Sequence, residues 1–357
     1  MKALVCTEYG TPESLHWIDH VMPAPGPSQV RIRVHAAGVN FVDALFIAGT
    51  YQVKIPPPFI PGNELAGTID ALGDGVGTPA GGPAGDPVGD PVGGPVGGPA
   101  GDPVGGAVTA WRVGDQVMAQ AGTGAFAEYA VVHVGQLRAM PARFSFAQAA
   151  AFQLTYATAL YALRERAALR DGETLLVLGA AGGVGTAAID IGRQMGATVI
   201  ACAGTDEKLA ACTALGAHAT INYDREDLKE RAKALTNGRG ADVIYDPVGD
   251  RYSEPALRAI AWEGRFLVIG FAAGNIARIP LNLPLLKGCQ IVGVDWGQLA
   301  RTRPEQTLPV WRTLGEWAAA GALRPRIHAQ YALRDGARAL RDVLDRVVIG
   351  KAVLVVD

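Results

Sequence analysis

The N-terminal part of the chain alternates apolar and polar side chains. Gln29–His35 places an apolar residue at every second position, and Phe126–Val132 is similar. A period of two is typical of strands with one buried face. We therefore expect residues 1–140 to be rich in β-strands.

The pattern changes near residue 145. Ala147–Ala168 is alanine-rich and predicts a helix, and short aliphatic runs then alternate with helical segments. The predicted strands are Thr174–Leu178, Thr198–Cys202, Ala219–Asn222, Asp242–Tyr245, Phe266–Ile269 and Ile291–Val294, and the predicted helices are Gly183–Met195, Asp206–Leu215, Arg225–Leu235 and Tyr252–Ala261. Buried strands alternating with helices indicate a doubly wound parallel sheet of the α/β class. The last 50 residues predict two helices and a final strand, Ala352–Val356.

A low-complexity segment interrupts the β-rich part. Gly77–Val104 holds seven tandem copies of Gly-x-Pro-(Val/Ala), between a predicted strand at Glu64–Leu72 and a turn and strand at Trp111–Met118. Frequent proline disfavours a helix, and collagen would need glycine at every third position. We expect an inserted mobile surface loop at residues 77–106; recruitment of a partner by the repeat is the alternative.

Composition narrows the class of protein. The chain has 357 residues, 49% of them hydrophobic and 18% charged, with a net charge of −2. This argues against disorder and gives nucleic-acid binding no electrostatic support. No apolar run approaches the roughly 20 residues of a spanning helix, and the N-terminus lacks a secretory signal. The four scattered cysteines argue against a zinc ribbon or a disulfide framework and for a reducing cytoplasm.

A glycine-rich turn joins the strand Leu175–Leu178 to the helix Thr186–Met195. Gly183, Gly185 and Ala188 fit the dinucleotide fingerprint Gly-x-Gly-x-x-(Gly/Ala). Glycine lets backbone N–H groups approach a diphosphate, and the helix N-terminus adds partial positive charge. Because the motif follows a buried strand and begins a βαβ series, it predicts a nucleotide-binding domain.

The end of the second predicted strand bears on the choice of nucleotide. NAD sites usually carry an acid there, whereas this strand ends in Gly204-Thr205, with Lys208 and Tyr223 following. A small tip and a nearby cation favour a 2′-phosphate and hence NADPH. Asp206 and Glu207 are the counter-evidence, unless they only stabilise the start of a helix.

Together these motifs resemble the zeta-crystallin-like NADPH:quinone oxidoreductases, in the zinc-free branch of the medium-chain dehydrogenase/reductase superfamily. The resemblance covers nearly the whole chain except the repeat. It is carried by Ala37–Asp43, Gly49–Tyr51, Pro61-Gly62, Arg112–Asp115, Ala180–Gly185, Gly204-Thr205 with Lys208, Ile221–Tyr223, Tyr245–Gly249 and Gly350-Lys351.

The resemblance implies a GroES-like β-rich catalytic domain built from both ends of the chain and an inserted Rossmann domain, with the active site in the cleft between them. The GroES-like domain would span residues 1–145, the NADPH-binding Rossmann domain 146–297, and the C-terminal return 298–357. A homodimer formed across the Rossmann sheet edge near Cys289–Val294 is also implied.

The resemblance assigns cofactor contacts residue by residue. It places the phosphate loop on Ala181, Gly182, Gly183 and Val184. It places 2′-phosphate contacts on Lys208, Tyr223 and Arg346, beside Gly204 and Thr205, and a cofactor-side threonine at Thr158. It places the loops that flank the nicotinamide at Val248, Gly270, Phe271, Val294 and Trp296.

Asn40 and Tyr51 are the implied residues at the substrate end of the site. Asn40 can instead simply cap the helix Phe41–Ala48, and Tyr51 can simply pack at the rim. Some family members carry tyrosine where Phe59 stands, so that hydroxyl is missing here.

The resemblance also argues against a catalytic metal. Zinc-dependent relatives have cysteine and histidine where this chain has Asn40 and Asn63, and an amide is a poor zinc ligand. Without a Lewis acid, we expect hydride delivery from NADPH to an electron-poor acceptor, a quinone or an α,β-unsaturated carbonyl. Asn40 and backbone N–H groups could then steady the oxyanion. An enoyl-thioester reductase and a low-turnover NADPH-binding protein are the alternatives.

Overall fold

The computed structural model describes residues 1–77 and 110–356, which form two compact units. Unit 1 comprises Met1–Leu154, Gly297–Ala322 and the segment from Ile327 onwards, and unit 2 comprises Thr155–Trp296 and Leu323–Arg326. The Gly-x-Pro repeat lies outside the described residues apart from Gly77, so its interpretation as a loop stays a prediction.

The described strands are β1 Lys2–Cys6, β2 Leu15–Asp19, β3 Gln29–Val39, β4 Glu64–Leu72, β5 Gln116–Gln120, β6 Tyr129–His133, β7 Leu137–Ala139, β8 Thr174–Val177, β9 Thr198–Ala203, β10 Ala219–Asn222, β11 Ala241–Asp246, β12 Ile260–Val268, β13 Gln290–Gly293, β14 Ile327–Ala332 and β15 Lys351–Val355. The described α-helices are α1 Phe41–Ile47, α2 Phe146–Ala150, α3 Gln153–Leu160, α4 Gly183–Gln194, α5 Asp206–Ala214, α6 Leu228–Leu235, α7 Ser253–Arg258, α8 Asn282–Lys287, α9 Trp296–Thr302, α10 Leu308–Ala319 and α11 Gly336–Leu344.

Unit 1 is built on a sheet with the order β14-β15-β3-β4-β5-β7, and β6 also pairs with β3. The alternation in β3 puts Val30, Ile32 and Val34 into a core with Leu65 and Phe126. The predicted β-rich character is thereby confirmed. The sequence pattern missed β14, whose residues are only half-buried or exposed and which is fixed by parallel pairing with β15.

The register of this sheet brings distant polar residues together. Val39 pairs with Ala352 and Gly38 pairs with Glu64, so the first residue of β15, the start of α1 and the start of β4 are neighbours. Glycine is required at position 38, where β3 passes close to α2 and β4, because a Cβ there would clash with the Ala150 carbonyl oxygen and with Glu64.

Unit 2 contains a six-stranded parallel sheet with the order β10-β9-β8-β11-β12-β13. This is the doubly wound arrangement expected from the sequence. Two predicted helices are shorter than expected. The one predicted at Tyr252–Ala261 ends at Arg258, because Ile260 pairs with Ala241 and opens β12. The other, α6, begins at Leu228, because the Asp227 side chain caps it.

None of the helices within residues 1–77 and 110–356 has the length and apolarity needed to cross a bilayer.

Candidate active site

The tight turn between β8 and α4 depends on glycine residues. Gly179 has a φ of +54°, which favours glycine. A Cβ on Gly185 would clash with the Gly179 carbonyl oxygen, so the first turn of α4 lies directly against the turn. Gly182 is the N-cap of α4 and offers no side-chain acceptor to the first helical N–H groups.

These features suit a bound diphosphate. The first N–H groups of a helix have no partner within the helix, and at α4 no capping side chain satisfies them. A 12-residue helix also contributes partial positive charge at its N-terminus. Ala181, Gly182, Gly183 and Val184 therefore form the turn whose N–H groups are available to a diphosphate, and their binding of the cofactor stays a prediction.

The tip of β9 lies beside the first turn of α5 and the end of β10. Thr205 caps α5 by accepting a hydrogen bond from the Lys208 backbone N–H at 3.3 Å, which places Lys208 in the first turn. A Cβ on Gly204 would clash with the Asp224 carboxylate. β9 itself ends without an acid, as expected, but the carboxylate of Asp224 reaches this tip from the neighbouring strand. Asp224 follows β10, and β10 runs beside β9, so pairing of the strands brings the carboxylate in.

Tyr223 lies at the same tip. Its backbone N–H donates to the Ala203 carbonyl at 3.3 Å, and its ring packs against that of Tyr252 with centroids 4.3 Å apart. The structure therefore brings together Gly204, Tyr223 and the first turn of α5. Asp206 in that turn is bound by Arg225 and Asn222.

A buried carboxylate shapes the loop after β11. Asp246 accepts hydrogen bonds from the backbone N–H groups of Val248 at 2.8 Å and Gly249 at 2.9 Å, and from the Ser253 hydroxyl at 2.6 Å. Burial raises the pKa of Asp246 above its ordinary value, and these three donors oppose the shift. The loop is therefore held by a side chain that sequence reasoning did not single out.

This loop adjoins both the glycine turn and the loop after β12. A Cβ on Gly179 would press against Val248, and one on Gly249 would lie 3.0 Å from the Phe271 ring. Gly270 donates its N–H to the Asp246 carbonyl at 3.4 Å. The structure thus brings the predicted residues Val248, Gly270 and Phe271 together at the carboxyl ends of β11 and β12.

The remaining predicted cofactor residues come from further elements of the two units. Val294 follows β13 and donates to the Val268 carbonyl at 3.0 Å. Trp296 is buried with its ring 5.9 Å from that of Tyr161, and Thr158 is buried in α3. Arg346 belongs to unit 1, after α11, with a φ of +60°. Their roles at the cofactor stay predictions.

Asn40 belongs to a buried polar network in unit 1. Its Nδ2 donates to the Gly38 carbonyl at 3.3 Å and to Glu64 Oε1 at 3.1 Å. Its Oδ1 accepts from Lys351 Nζ at 2.5 Å. Because lysine only donates and a carboxylate only accepts, the orientation of the amide is fixed. Both amide hydrogens therefore already donate to groups of the protein. The predicted donation from Asn40 to an oxyanion would have to replace one of these hydrogen bonds, and it stays a prediction.

Lys351 is the cation of this network. Its Nζ donates to the Val39 carbonyl at 3.0 Å and to Glu64 Oε1 at 2.8 Å, in addition to Asn40. The other Glu64 oxygen accepts from the Leu154 N–H at 3.0 Å. Lys351 and Glu64 are almost fully buried, yet all three ammonium hydrogens have partners. The sequence supplied Lys351 as part of a motif but gave no sign of its partner.

Asp43 lies under the same network. Its Oδ2 accepts from the Asn40 backbone N–H at 2.8 Å, and the Asn63 backbone N–H also faces the carboxylate. Complete burial raises the pKa of Asp43 to about 7, against the opposing effects of the Asn40 N–H and the Lys351 charge. Asp43 is therefore a buried acid that titrates near neutral pH.

Tyr51 and Phe59 complete the predicted residues of unit 1. The Tyr51 ring lies edge-on to Phe46 with centroids 4.8 Å apart and is half-buried. The Phe59 backbone pairs with Cys6. The structure shows Tyr51 packed against Phe46, and both its place at the substrate end and its chemical role stay predictions.

Within the described parts of the chain, no group of three or more histidine, cysteine, aspartate or glutamate side chains could hold a metal ion.

A β-rich unit together with a six-stranded parallel sheet, in which a glycine turn joins β8 to α4, is typical of dehydrogenases and reductases that bind a dinucleotide. Residues 26–142 match the family model "Alcohol dehydrogenase GroES-like domain", and residues 183–313 match "Zinc-binding dehydrogenase".

Whole-chain comparisons narrow this class. A quinone oxidoreductase-like protein 2 homolog of Nematostella vectensis is 34% identical, over 99% of this chain and 88% of its own length. A quinone oxidoreductase of Pseudomonas aeruginosa is 32% identical over 99% of both chains. The crystal structure of Escherichia coli quinone oxidoreductase complexed with NADPH superposes with a TM-score of 0.83 at 26% identity, covering 99% of this chain and 100% of that one. The chain belongs to the quinone oxidoreductase family of the medium-chain dehydrogenase/reductase superfamily.

Proposed function

We propose that this protein transfers a hydride from NADPH to a quinone or to an α,β-unsaturated carbonyl compound, without a metal ion. The observation that carries the proposal is the turn before α4, where Gly182 leaves the first helical N–H groups uncapped and Gly185 packs against Gly179. The NADPH complex of the Escherichia coli relative supports the choice of nucleotide.

Different residues of unit 2 would bind different parts of the nucleotide. Gly182, Gly183 and Val184 would bind the diphosphate through backbone N–H groups. Lys208 and Tyr223 would face the 2′-phosphate. When bound, NADPH supplies the hydride, and the protein supplies orientation and electrostatics. Val248, held by the Asp246 carboxylate, would exclude water beside the nicotinamide.

An electron-poor acceptor fits the chemistry of unit 1. The Lys351 ammonium, 2.5 Å from Asn40 Oδ1, disfavours a divalent cation at Asn40, and Asn63, the residue before Glu64, offers only an amide. The acceptor must therefore delocalise the added charge itself, as quinones and enones do. Tyr51 is the candidate proton donor, with water as the alternative.

The experiment is a panel of acceptors. The purified protein is assayed for oxidation of NADPH with benzoquinones, 2-alkenals and enoyl-CoA thioesters, with elemental analysis for zinc on the same sample. Turnover with quinones or enones and well under one zinc per chain is expected. Preference for the thioesters would indicate an enoyl-thioester reductase. Binding without turnover would indicate a low-turnover NADPH-binding protein, and stoichiometric zinc would overturn the metal-free assignment.

We also propose a homodimer through the edge of the sheet in unit 2. β13 is the last strand on that side, and Ile291 in it is 42% exposed. Leu285 and Leu286 of α8, the helix before β13, and Trp262 of β12, the strand that pairs with β13, are also exposed. Apolar side chains clustered on a strand edge favour pairing with a second copy.

A cytoplasmic location is part of the proposal. Cys6, Cys202, Cys212 and Cys289 are all free thiols. Burial raises the pKa of the Cys202 and Cys212 thiols, which makes them unreactive. Free cysteines are the usual state in a reducing compartment.

A further inference from the structure

The carboxylate of Asp224 occupies an unexpected position. It follows β10, and its Oδ2 fills the space that a side chain on Gly204 would need. An acid at the tip of the second strand normally binds the ribose 2′-hydroxyl of NAD and repels a 2′-phosphate. Asp224 therefore opposes the nucleotide assigned under the proposed function unless its charge is offset.

Arg251 supplies that offset. Its Nη2 lies 3.0 Å from Asp224 Oδ1 and donates to the Tyr252 hydroxyl at 2.7 Å. The Tyr252 hydroxyl in turn donates to the same Asp224 oxygen at 2.5 Å. The guanidinium carbon also lies 4.9 Å from the centroid of the Tyr252 ring. Three mutual contacts thus fix the cation on the carboxylate.

We propose that Arg251 determines nucleotide specificity: by pairing with Asp224 it neutralises the acid at the tip of β9, so that this tip accepts a 2′-phosphate. The inference rests on the proposed binding of NADPH and names one further residue that governs it. Removing Arg251 leaves the Asp224 anion beside the phosphate, whereas removing both charges takes away that anion together with its partner and leaves Lys208 in place.

A purely structural role predicts something different. The Arg251 side chain is 71% exposed and that of Asp224 38%, and exposed ion pairs contribute little to folding. Loss of Arg251 should therefore leave the melting temperature nearly unchanged while changing nucleotide affinity. Arg258 is the matched control, because it is an arginine of the adjoining α7 that pairs with Glu254 rather than with Asp224.

The test measures dissociation constants for NADPH and NADH by calorimetry, without turnover, for the wild type, Arg251→Ala, Asp224→Asn, the double variant and Arg258→Ala. We expect Arg251→Ala to raise the dissociation constant for NADPH roughly five- to tenfold and that for NADH less than about twofold. Such a change is typical of one charged contact. The double variant should recover NADPH binding to within about threefold of the wild type. Arg258→Ala should bind both nucleotides as the wild type does.

Three outcomes would count against parts of this account. An unchanged NADPH to NADH ratio in Arg251→Ala would overturn the inference while leaving the proposed function standing. A double variant as weak as Arg251→Ala would overturn the neutralisation, since Arg251 would then contact the phosphate itself. A wild type that binds neither nucleotide would overturn the proposed function and the inference with it.

Discussion

The Lys351 ammonium lies 2.8 Å from Glu64 Oε1, although 287 residues separate the two along the chain. Both side chains are buried, and Asn40 bridges them through its two amide ends. Because the pair is desolvated, each charge depends on the other for its stability. The network therefore ties the last strand of unit 1 to β4 and to the start of α1.

Replacing Lys351 tests this dependence. Lys351→Met should lower the free energy of unfolding by about 3–5 kcal/mol, because it leaves the Glu64 carboxylate buried without a cation. Urea denaturation of the purified variant measures the loss. The double variant with Glu64→Gln should regain part of it, and a loss below about 1 kcal/mol in the single variant would contradict a buried ion pair.

Asp43 should make stability depend on pH. Its pKa is about 7 in the fold against an ordinary value of 3.8, so between these values the folded chain keeps a proton that the unfolded chain has lost. Stability therefore falls as the pH rises through this window and is lowest above it. Glu64 adds to the rise in pKa, and Lys351 opposes it.

Asp43→Asn removes that titration. Between about pH 5 and pH 8, the free energy of unfolding of the variant should rise relative to that of the wild type by on the order of 2–3 kcal/mol, measured by chemical denaturation. Asp74→Asn, which changes an exposed carboxylate of the same unit, is the control and should show no such trend. A pH-independent difference for Asp43→Asn would show that this carboxyl titrates normally.

The first residue of α4 should not tolerate a side chain. Gly183→Val should weaken NADPH binding by roughly a hundredfold or more, because a branched side chain occupies the place of the diphosphate. Isothermal titration gives the dissociation constant. Gly293→Ala, where an added Cβ meets nothing within 4 Å, serves as the control. Normal affinity in Gly183→Val would mean that the turn is not the phosphate site.

Lys208 should distinguish the two nucleotides. Lys208→Ala is expected to raise the KM for NADPH roughly tenfold and that for NADH less than about twofold, because only NADPH carries the extra phosphate. Steady-state kinetics with both nucleotides measure the split. Lys229→Ala, whose lysine pairs with Glu230 on α6, should change neither. Equal effects on both nucleotides would rule out a 2′-phosphate contact.

The edge strand of unit 2 should control the oligomeric state. Ile291→Lys should convert the proposed dimer to a monomer, since it places a charge on the exposed apolar edge of β13. Light scattering coupled to gel filtration reports the mass. Val347→Lys, at an exposed apolar residue of unit 1, should leave the mass unchanged. A wild-type monomer would refute the dimer at once.

The sequence by itself determined the local structure of this protein. Neighbouring residues alone determine the alternation in Gln29–His35 and the strand, glycine turn and helix around Gly183. For that reason β3, β8 and α4 could be predicted. The doubly wound sheet followed because short buried strands alternated with helices. Family motifs then indicated the nucleotide and the class of chemistry.

Only the tertiary structure decided which distant side chains meet. The pairing of β15 with β3 and of β3 with β4 places Lys351 on Glu64 and Asn40, and the pairing of β10 with β9 places Asp224 against Gly204. No period or spacing along the chain encodes these contacts, because strand register is fixed by the burial of whole faces. The charges that surround the candidate site therefore became visible only once the strands were paired.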